Sequence, residues 1–348
     1  MSQFRIALSG DFVKPDGAPA FPMFDLGPLD ADPRIDWAFV PPEDRRMTAA
    51  GLDGFDALIL LSARFDAESI PADGRLALVA RFGVGYDSVN VAACASAGIA
   101  VTITPDGVRR PVAVTILTFV LALAGKLFVK DGLAREGAAG FARRSDHMGV
   151  GLVGRTLGSL GMGNIGAETF RLFAPLDMNF IAHDPYVSEA DAAALGVTLV
   201  DLETLFRDSD FLTVNLPLTP ETEKLVDAKR LAMMKPSAYL INTSRGPVVD
   251  QAALVAALGD GTIAGAGIDV FDPEPPSPDD PLLALDNVIV TPHALCWTDQ
   301  CFAGIGASTV AAALTVKRGT VPDHLVERSV AENATFLERL ENHRKAFG

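Results

Sequence analysis

Thr156-Leu-Gly-Ser-Leu-Gly161-Met-Gly163-Asn164-Ile165-Gly166 is the stretch that decides the fold. Thr156–Leu160 reads as a short strand, and Ile165, Leu172 and Leu176 then recur at helical spacing. The three glycines between and within these elements fall in a Gly-x-Gly-x-x-Gly pattern. Gly161 permits a tight turn, Gly163 lets backbone approach a pyrophosphate, and Gly166 lets helix and strand pack closely. A helix N-terminus with unpaired N–H groups and partial positive charge suits an anion. Glycines serve many turns, so the motif points to a dinucleotide only if its surroundings agree.

They do agree. Asp184 ends the next strand, Asn179–His183, at the usual offset for an acid that takes the adenosine ribose hydroxyls. As the residue before Pro185 it also suits a turn. A carboxylate there repels a 2′-phosphate, and no arginine directly follows it, so NAD is expected over NADP. Further strands are expected at 211–215, 238–243, 266–270 and 287–291. An earlier series is expected at 5–9, 57–61, 76–82 and 100–104. Apolar strand-like runs alternating with helical patterns argue for an α/β protein with two doubly wound parallel-sheet domains. The stretch 11–42, heavy in Pro, Gly, Asp and Phe, reads as a loop-rich surface insertion, or alternatively as a flap using Phe21 and Phe24. Helices are expected at 111–126, 302–316 and after Glu327. If the tail rejoins the first domain, the first two of these helices would be the crossings.

Composition narrows the function. The 348 residues are 49% apolar and 21% charged, with a formal charge of −15. Such a surface repels phosphate backbones and anionic lipid, so neither nucleic acid nor membrane is an expected partner. An anionic cofactor or substrate must then be held by placed groups. The uncharged run 111–125 falls short of the roughly 18–20 residues that span a bilayer, and Pro111 suits a first helical turn. No signal peptide is visible, and Cys94, Cys296 and Cys301 show no metal-ligand pairing pattern. Unbridged thiols in the cytoplasm, and no metal, are expected.

Ligands of parallel sheets bind beyond the carboxyl ends of the strands. There the sequence places Ser244-Arg245-Gly246, Asp269 with Asp272-Pro-Glu274-Pro-Pro276, and Thr291-Pro-His293. This set fits hydride transfer at a carbon next to a carboxylate. Arg245 can polarise a 2-oxo group with its planar fork, and His293 can supply the proton that the resulting alkoxide needs. Glu274 beside His293 would orient the ring and favour its protonated form. Each residue alone has an ordinary surface or capping role; their convergence on one edge carries the reading.

With these residues in view, the sequence resembles the D-isomer-specific 2-hydroxyacid dehydrogenases. The matching text is Arg81-Phe-Gly-Val-Gly-Tyr-Asp-Ser-Val-Asn90, the Gly161–Gly166 loop, His183-Asp-Pro-Tyr186, Asn215-Leu-Pro-Leu-Thr-Pro-Glu-Thr222, Ile241-Asn-Thr-Ser-Arg-Gly-Pro-Val-Val-Asp250, Ala266-Gly-Ile-Asp-Val-Phe-Asp-Pro-Glu-Pro275 and Thr291-Pro-His293. The resemblance implies a central NAD-binding Rossmann domain (109–297), a split flavodoxin-like substrate domain (1–108 with 298–348) and a homodimer joined through the former. It implies catalytic roles for Arg245, Glu274 and His293, and a hold on the nicotinamide amide for Asp269. Asn164 and Ile165 fall on pyrophosphate-binding backbone, while Leu216, Pro217, Thr222, Thr243 and Ser244 fall along the cofactor. Val84 and Gly85 match the loop whose N–H groups hold the substrate carboxylate.

Three departures bear on the substrate. Ala294-Leu-Cys-Trp297 stands where many members have two small residues after the histidine, which places Trp297 on the pocket wall. Asp106-Gly-Val-Arg-Arg-Pro111 replaces a more acidic helix start, and the 11–42 stretch is long. Arg64 is placed to meet a second anionic group or to form a surface ion pair. The expected activity is therefore an NAD-dependent oxidoreductase acting on a small 2-hydroxy or 2-oxo acid, of glyoxylate/hydroxypyruvate reductase or phosphoglycerate dehydrogenase kind. The alternatives are a phosphite- or formate-type dehydrogenase, the latter disfavoured by Glu274, and a non-catalytic NAD-sensing scaffold.

Overall fold

The computed structural model describes residues 3–348. Its strands are β1 (Phe4–Ser9), β2 (Ile35–Val40), β3 (Ala57–Leu60), β4 (Leu78–Arg81), β5 (Ala100–Thr102), β6 (Thr156–Leu160), β7 (Asn179–His183), β8 (Val197–Leu199), β9 (Phe211–Val214), β10 (Tyr239–Asn242), β11 (Gly265–Ile268) and β12 (Val288–Val290). They form two sheets, ordered β2-β1-β3-β4-β5 and β12-β11-β10-β9-β6-β7-β8. Every pairing within them is parallel. Interior strands such as Ala57–Leu60 and Phe211–Val214 are mainly apolar and buried along their whole length, because both sheet faces are covered. The two parallel sheets expected from the alternation are thus present, the first in flavodoxin-like order and the second doubly wound about β6.

The chain divides into two compact units. One gathers the chain up to Val108 with Trp297–Gly348, and the other is Arg109–Cys296. The helix Asp299–Lys317 lies wholly in the first unit and packs on β3 and β4, so it is not a crossing. The return occurs just before it.

Two strands escape the sequence reading. β2 lies inside the stretch expected to be a loop, where Ile35-Asp-Trp-Ala-Phe-Val40 is hidden by flanking Pro and Asp. It pairs with β1 at the edge of the sheet, and Asp36 meets Arg5 at 3.1 Å across the pair. β8 is a three-residue edge strand, too short for periodicity to declare. The long helix begins at Pro105 and ends at Gly125, so Pro111 stands inside it and not in its first turn. Thr104 ends the preceding segment and the chain is already helical six residues earlier than the proline suggests. By length and composition this helix could cross a membrane, but 61% of its most apolar window is buried within the protein. Ile116, Phe119, Val120 and Leu123 join Leu157, Tyr239 and Ile241 in a core of the second unit.

In the first unit the tail helix Ala334–Phe347 returns to the N-terminal sheet. Phe4 meets His343 and Phe347 edge-on at 5.1 and 5.8 Å. Arg339 donates to the carbonyls of Gly74, Ala97 and Gly98. At the centre is Asp56, whose side chain is only 3% exposed and accepts from Arg75 twice at 2.8 Å, from the Arg5 N–H at 2.7 Å and faces His343 Nε2 at 3.3 Å. Burial pushes the Asp56 carboxyl up, but the His343 and Arg75 hydrogen bonds outweigh it and leave it below its ordinary value. A carboxyl depressed in the folded state stabilises above its unfolded pKa and loses that contribution as pH falls through its folded value. Asp56→Ala is expected to lower stability by about 3–5 kcal/mol at neutral pH, with the gap from the parent narrowing below about pH 4. Urea denaturation of both chains across that range checks it.

Candidate active site

The order in which strands are added to the second sheet reverses between β6 and β9, and the glycine turn leaves β6 at that point. Gly161 has φ +89°, and a Cβ on it would come within 2.7 Å of the Asn215 carbonyl. A Cβ on Gly166 would lie 2.6 Å from the Gly161 carbonyl, so this glycine brings helix and turn together. Gly163 differs: a Cβ there would meet nothing within 4 Å. It opens the helix Asn164–Phe173, whose first N–H groups receive no side-chain cap. Asp184 is pinned beside this turn, accepting from Met162 N at 2.8 Å and Tyr186 N at 2.9 Å. Both the turn role and the proximity to the glycines therefore hold for it.

Two buried polar atoms near this crevice have no hydrogen-bond partner among the described residues, Asn215 Oδ1 beyond β9 and Thr243 Oγ1 beyond β10. Buried polar groups are nearly always paired, so two orphans at a sheet switch point fit a polar ligand. Together with the open side of Gly163, they show that the residues present suit a dinucleotide. Leu216 lies against the Gly161 turn, its Cδ2 only 2.9 Å from where a Cβ would stand. Thr222 holds its own loop closed, donating to Pro217 O at 2.6 Å and accepting from Thr219 N at 2.8 Å.

The strand ends carry the reactive side chains. Asn242, buried at the end of β10, donates to Arg245 O at 2.9 Å and accepts from the N–H and hydroxyl of Ser244 at 3.0 and 2.8 Å. This fixes the backbone from which Arg245 projects, half-buried, and its Nη1 donates to Ser244 O at 2.7 Å. Gly246 follows because a Cβ would stand 1.8 Å from Phe271 O. Gln251 accepts from Asp272 N at 3.0 Å and ties the two loops together.

Beyond β11, Asp269 is buried and organises the loop that bears the histidine. Its Oδ1 accepts from Thr291 Oγ1 at 2.5 Å, Ala294 N at 3.1 Å and Leu295 N at 3.3 Å. Burial raises its carboxyl above the ordinary value despite these donors. His293 itself sits at φ +54°, a left-handed conformation that is unfavourable for a residue with a Cβ and that clusters at functional sites. Its Nδ1 lies 2.6 Å from Glu274 Oε1. Burial pushes the Glu274 carboxyl up, but its bond to His293, aided by the His293 and Arg245 charges, holds it below the usual carboxylate range. Arg245, Glu274 and His293, which follow the three successive strands β10, β11 and β12, are thus gathered in one unit, with Nε2 of the imidazole directed away from its carboxylate partner.

Arg64, Val84, Gly85 and Trp297 lie in the other unit. Val84 and Gly85 follow Gly83 (φ +131°), which is held by Thr104 through bonds of 3.0 and 3.1 Å. Neither Val84 N–H nor Gly85 N–H has an acceptor among the described residues. Arg64 is exposed and forms no ion pair among the described residues, so the surface-pair alternative is absent from this structure. Trp297 touches Phe21 and Phe302 at ring distances of 5.4 and 5.3 Å. Sequence reasoning missed the supporting work of Asn242, Thr291 and Gln251. Asn242 and Thr291 stand inside motifs it quoted, but which backbone they hold is visible only in three dimensions.

Residues 117–294 match the family profile of the D-isomer specific 2-hydroxyacid dehydrogenase, NAD binding domain. The chain belongs to the D-isomer specific 2-hydroxyacid dehydrogenase family. It is 38% identical over 298 residues to a glyoxylate reductase of Korarchaeum cryptofilum, covering 85% of this chain and 90% of that protein. It is also 38% identical over 253 residues to a D-3-phosphoglycerate dehydrogenase of Archaeoglobus fulgidus, covering 72% of this chain but only 47% of the relative, about half its length. Among solved structures, a 2-hydroxyacid dehydrogenase from Ketogulonicigenium vulgare superposes with a TM-score of 0.77 at 30% identity, over 94% of this chain and 99% of that one. This family member is an oxidoreductase acting on the CH–OH group of 2-hydroxy acids, with NAD as its cofactor.

Proposed function

We propose that Arg245, Glu274 and His293 are the catalytic residues of this dehydrogenase and that its substrate is a small 2-hydroxy or 2-oxo acid. The 2.6 Å contact between His293 and Glu274, with the Arg245 charge acting on the same carboxylate, carries this reading. When bound, NAD supplies or accepts the hydride. In reduction Arg245 polarises the 2-oxo group, and His293, held through Nδ1, gives the proton on Nε2 to the forming alkoxide oxygen. In oxidation the ring takes that proton back.

The remaining assignments extend the same proposal to the cofactor and substrate. Gly161 and Gly166 shape the turn, and Gly163, Asn164 and Ile165 offer backbone N–H groups to the pyrophosphate. Asp184 meets the adenosine ribose, while Leu216, Pro217, Thr222, Thr243 and Ser244 line the cofactor. Asp269 Oδ2 accepts no hydrogen bond among the described residues, which leaves it for the nicotinamide amide. Val84 and Gly85 hold the substrate carboxylate through their unpaired N–H groups. Arg64 supplies an attractive charge in an otherwise acidic chain, and Trp297 forms pocket wall.

We also infer a soluble, cytoplasmic homodimer. Its support is an apolar face on the second unit, where Leu127, Phe128, Phe141 and Met148 are 57–74% exposed. A cavity of about 410 Å³ between Leu127, Phe128, Tyr239 and Val288 adjoins it. A second copy is the occupant that would cover it.

NADH oxidation against a panel of 2-oxo acids tests the reading. Arg245→Ala should cut turnover by at least about 10²-fold while NADH still binds by fluorescence titration; near-normal turnover refutes its role. Glu274→Gln bears on the proton. The native carboxylate, held below the usual range, stays ionised across neutral pH and can offset the positive charge of the ring when it carries the proton that is transferred. Its loss should move the upper pH limit of oxo-acid reduction to lower pH, and an unmoved profile would remove Glu274 from the mechanism. Asp184→Ser should narrow the preference for NAD over NADP by about tenfold or more, as repulsion on the order of 1–4 kcal/mol is relieved. Cofactor titrations of both chains measure it.

A further inference from the structure

Six aromatic rings meet in the first unit. Phe12 follows β1, Phe82 follows β4, Phe21 and Phe24 come from the 11–42 stretch, and Trp297 and Phe302 from the return into this unit. Phe82 lies 4.9 Å from both Phe12 and Phe24. Phe21 stacks on Phe302 at 4.1 Å and meets Trp297 edge-on at 5.4 Å. Phe12 and Phe82 are buried and close the cluster on one side, while Trp297 remains 54% exposed. Its indole N–H has no acceptor, and no cation stacks on any of the six rings, among the described residues.

The position is informative. The rings gather at the carboxyl ends of β1 and β4, the edge at which parallel sheets take ligands. Phe82 and Gly83 lead into the turn of Val84 and Gly85, whose N–H groups have no acceptor among the described residues. A hydrogen, as in glyoxylate, would leave such a wall unmatched. A phosphorylated substituent would call for cations that the rings do not offer. A flat apolar ring gains edge and face contacts and buries the exposed indole.

We propose that the open side of this cluster is the subsite for the substrate's side chain, and that it selects 2-oxo acids carrying an aromatic group. The proposal rests on the reading that Val84 and Gly85 hold the substrate carboxylate. Phe21 and Trp297 are the residues that set the preference, which gives the long 11–42 stretch and the departure after His293 a common purpose.

Steady-state kinetics with NADH and phenylpyruvate, glyoxylate or 3-phosphohydroxypyruvate test it. The expected kcat/KM for phenylpyruvate exceeds that for glyoxylate at least about tenfold, and Trp297→Ala and Phe21→Leu each reduce that ratio about tenfold. A second readout avoids turnover. In a Trp37→Phe chain Trp297 is the sole remaining indole of two, and its emission should shift with phenyllactate and not with lactate. Preference for glyoxylate or the phosphorylated acid, a ratio that neither variant moves, or equal emission changes with both hydroxy acids overturns the subsite alone. Turnover of none of the three acids by a chain that binds NADH overturns the dehydrogenase reading above and the subsite with it.

Discussion

A parallel strand cannot be joined to its neighbour by a hairpin, so each crossover returns the chain to the same starting edge and delivers every carboxyl end to the other. That constraint is what assembles this molecule's chemistry. Arg245 leaves β10, Asp269 and Glu274 follow β11, and His293 follows β12, and adjacent strands bring them together without any local sequence contact. The glycine turn after β6 opens at the same edge, at the point where the order of strands reverses.

Within that edge the burial of one carboxylate matters most. Asp269 collects three donors from the loop that contains His293, and this network holds the imidazole-bearing backbone in a left-handed conformation it would not adopt by itself. Asn242 does the same for the backbone of Arg245. The reacting side chains are thus exposed enough to meet a substrate, while the groups that aim them are buried. Precision comes from the hidden layer.

The legible part of the sequence was the part with strong local grammar. The glycine spacing, the acid just beyond β7 and the mainly apolar strands all carry their structural meaning in a few residues, and the order of motifs pointed to the family. β2 and β8 were not legible, since β2 sits among the Pro and Asp residues of a stretch that reads as loop and β8 is an edge strand of three residues. The helix start was misplaced because proline is a weak boundary marker when a helix is otherwise well packed. The aromatic cluster lay beyond reach for a different reason. Its six rings come from three separate segments, and Phe21 and Phe24 drew notice only for a flap and Trp297 only for the pocket wall.

The C-terminal helix completes the sheet that begins at Phe4, and His343 faces Asp56 across a separation of 287 residues. A ribosome adding roughly 5–20 residues per second therefore exposes the unfinished N-terminal sheet for tens of seconds. The central unit, whose contacts are continuous in sequence, can fold during that interval. Biogenesis thus runs from the inside of the chain outward, and the nascent N-terminal segment is the part that most needs shielding from premature association.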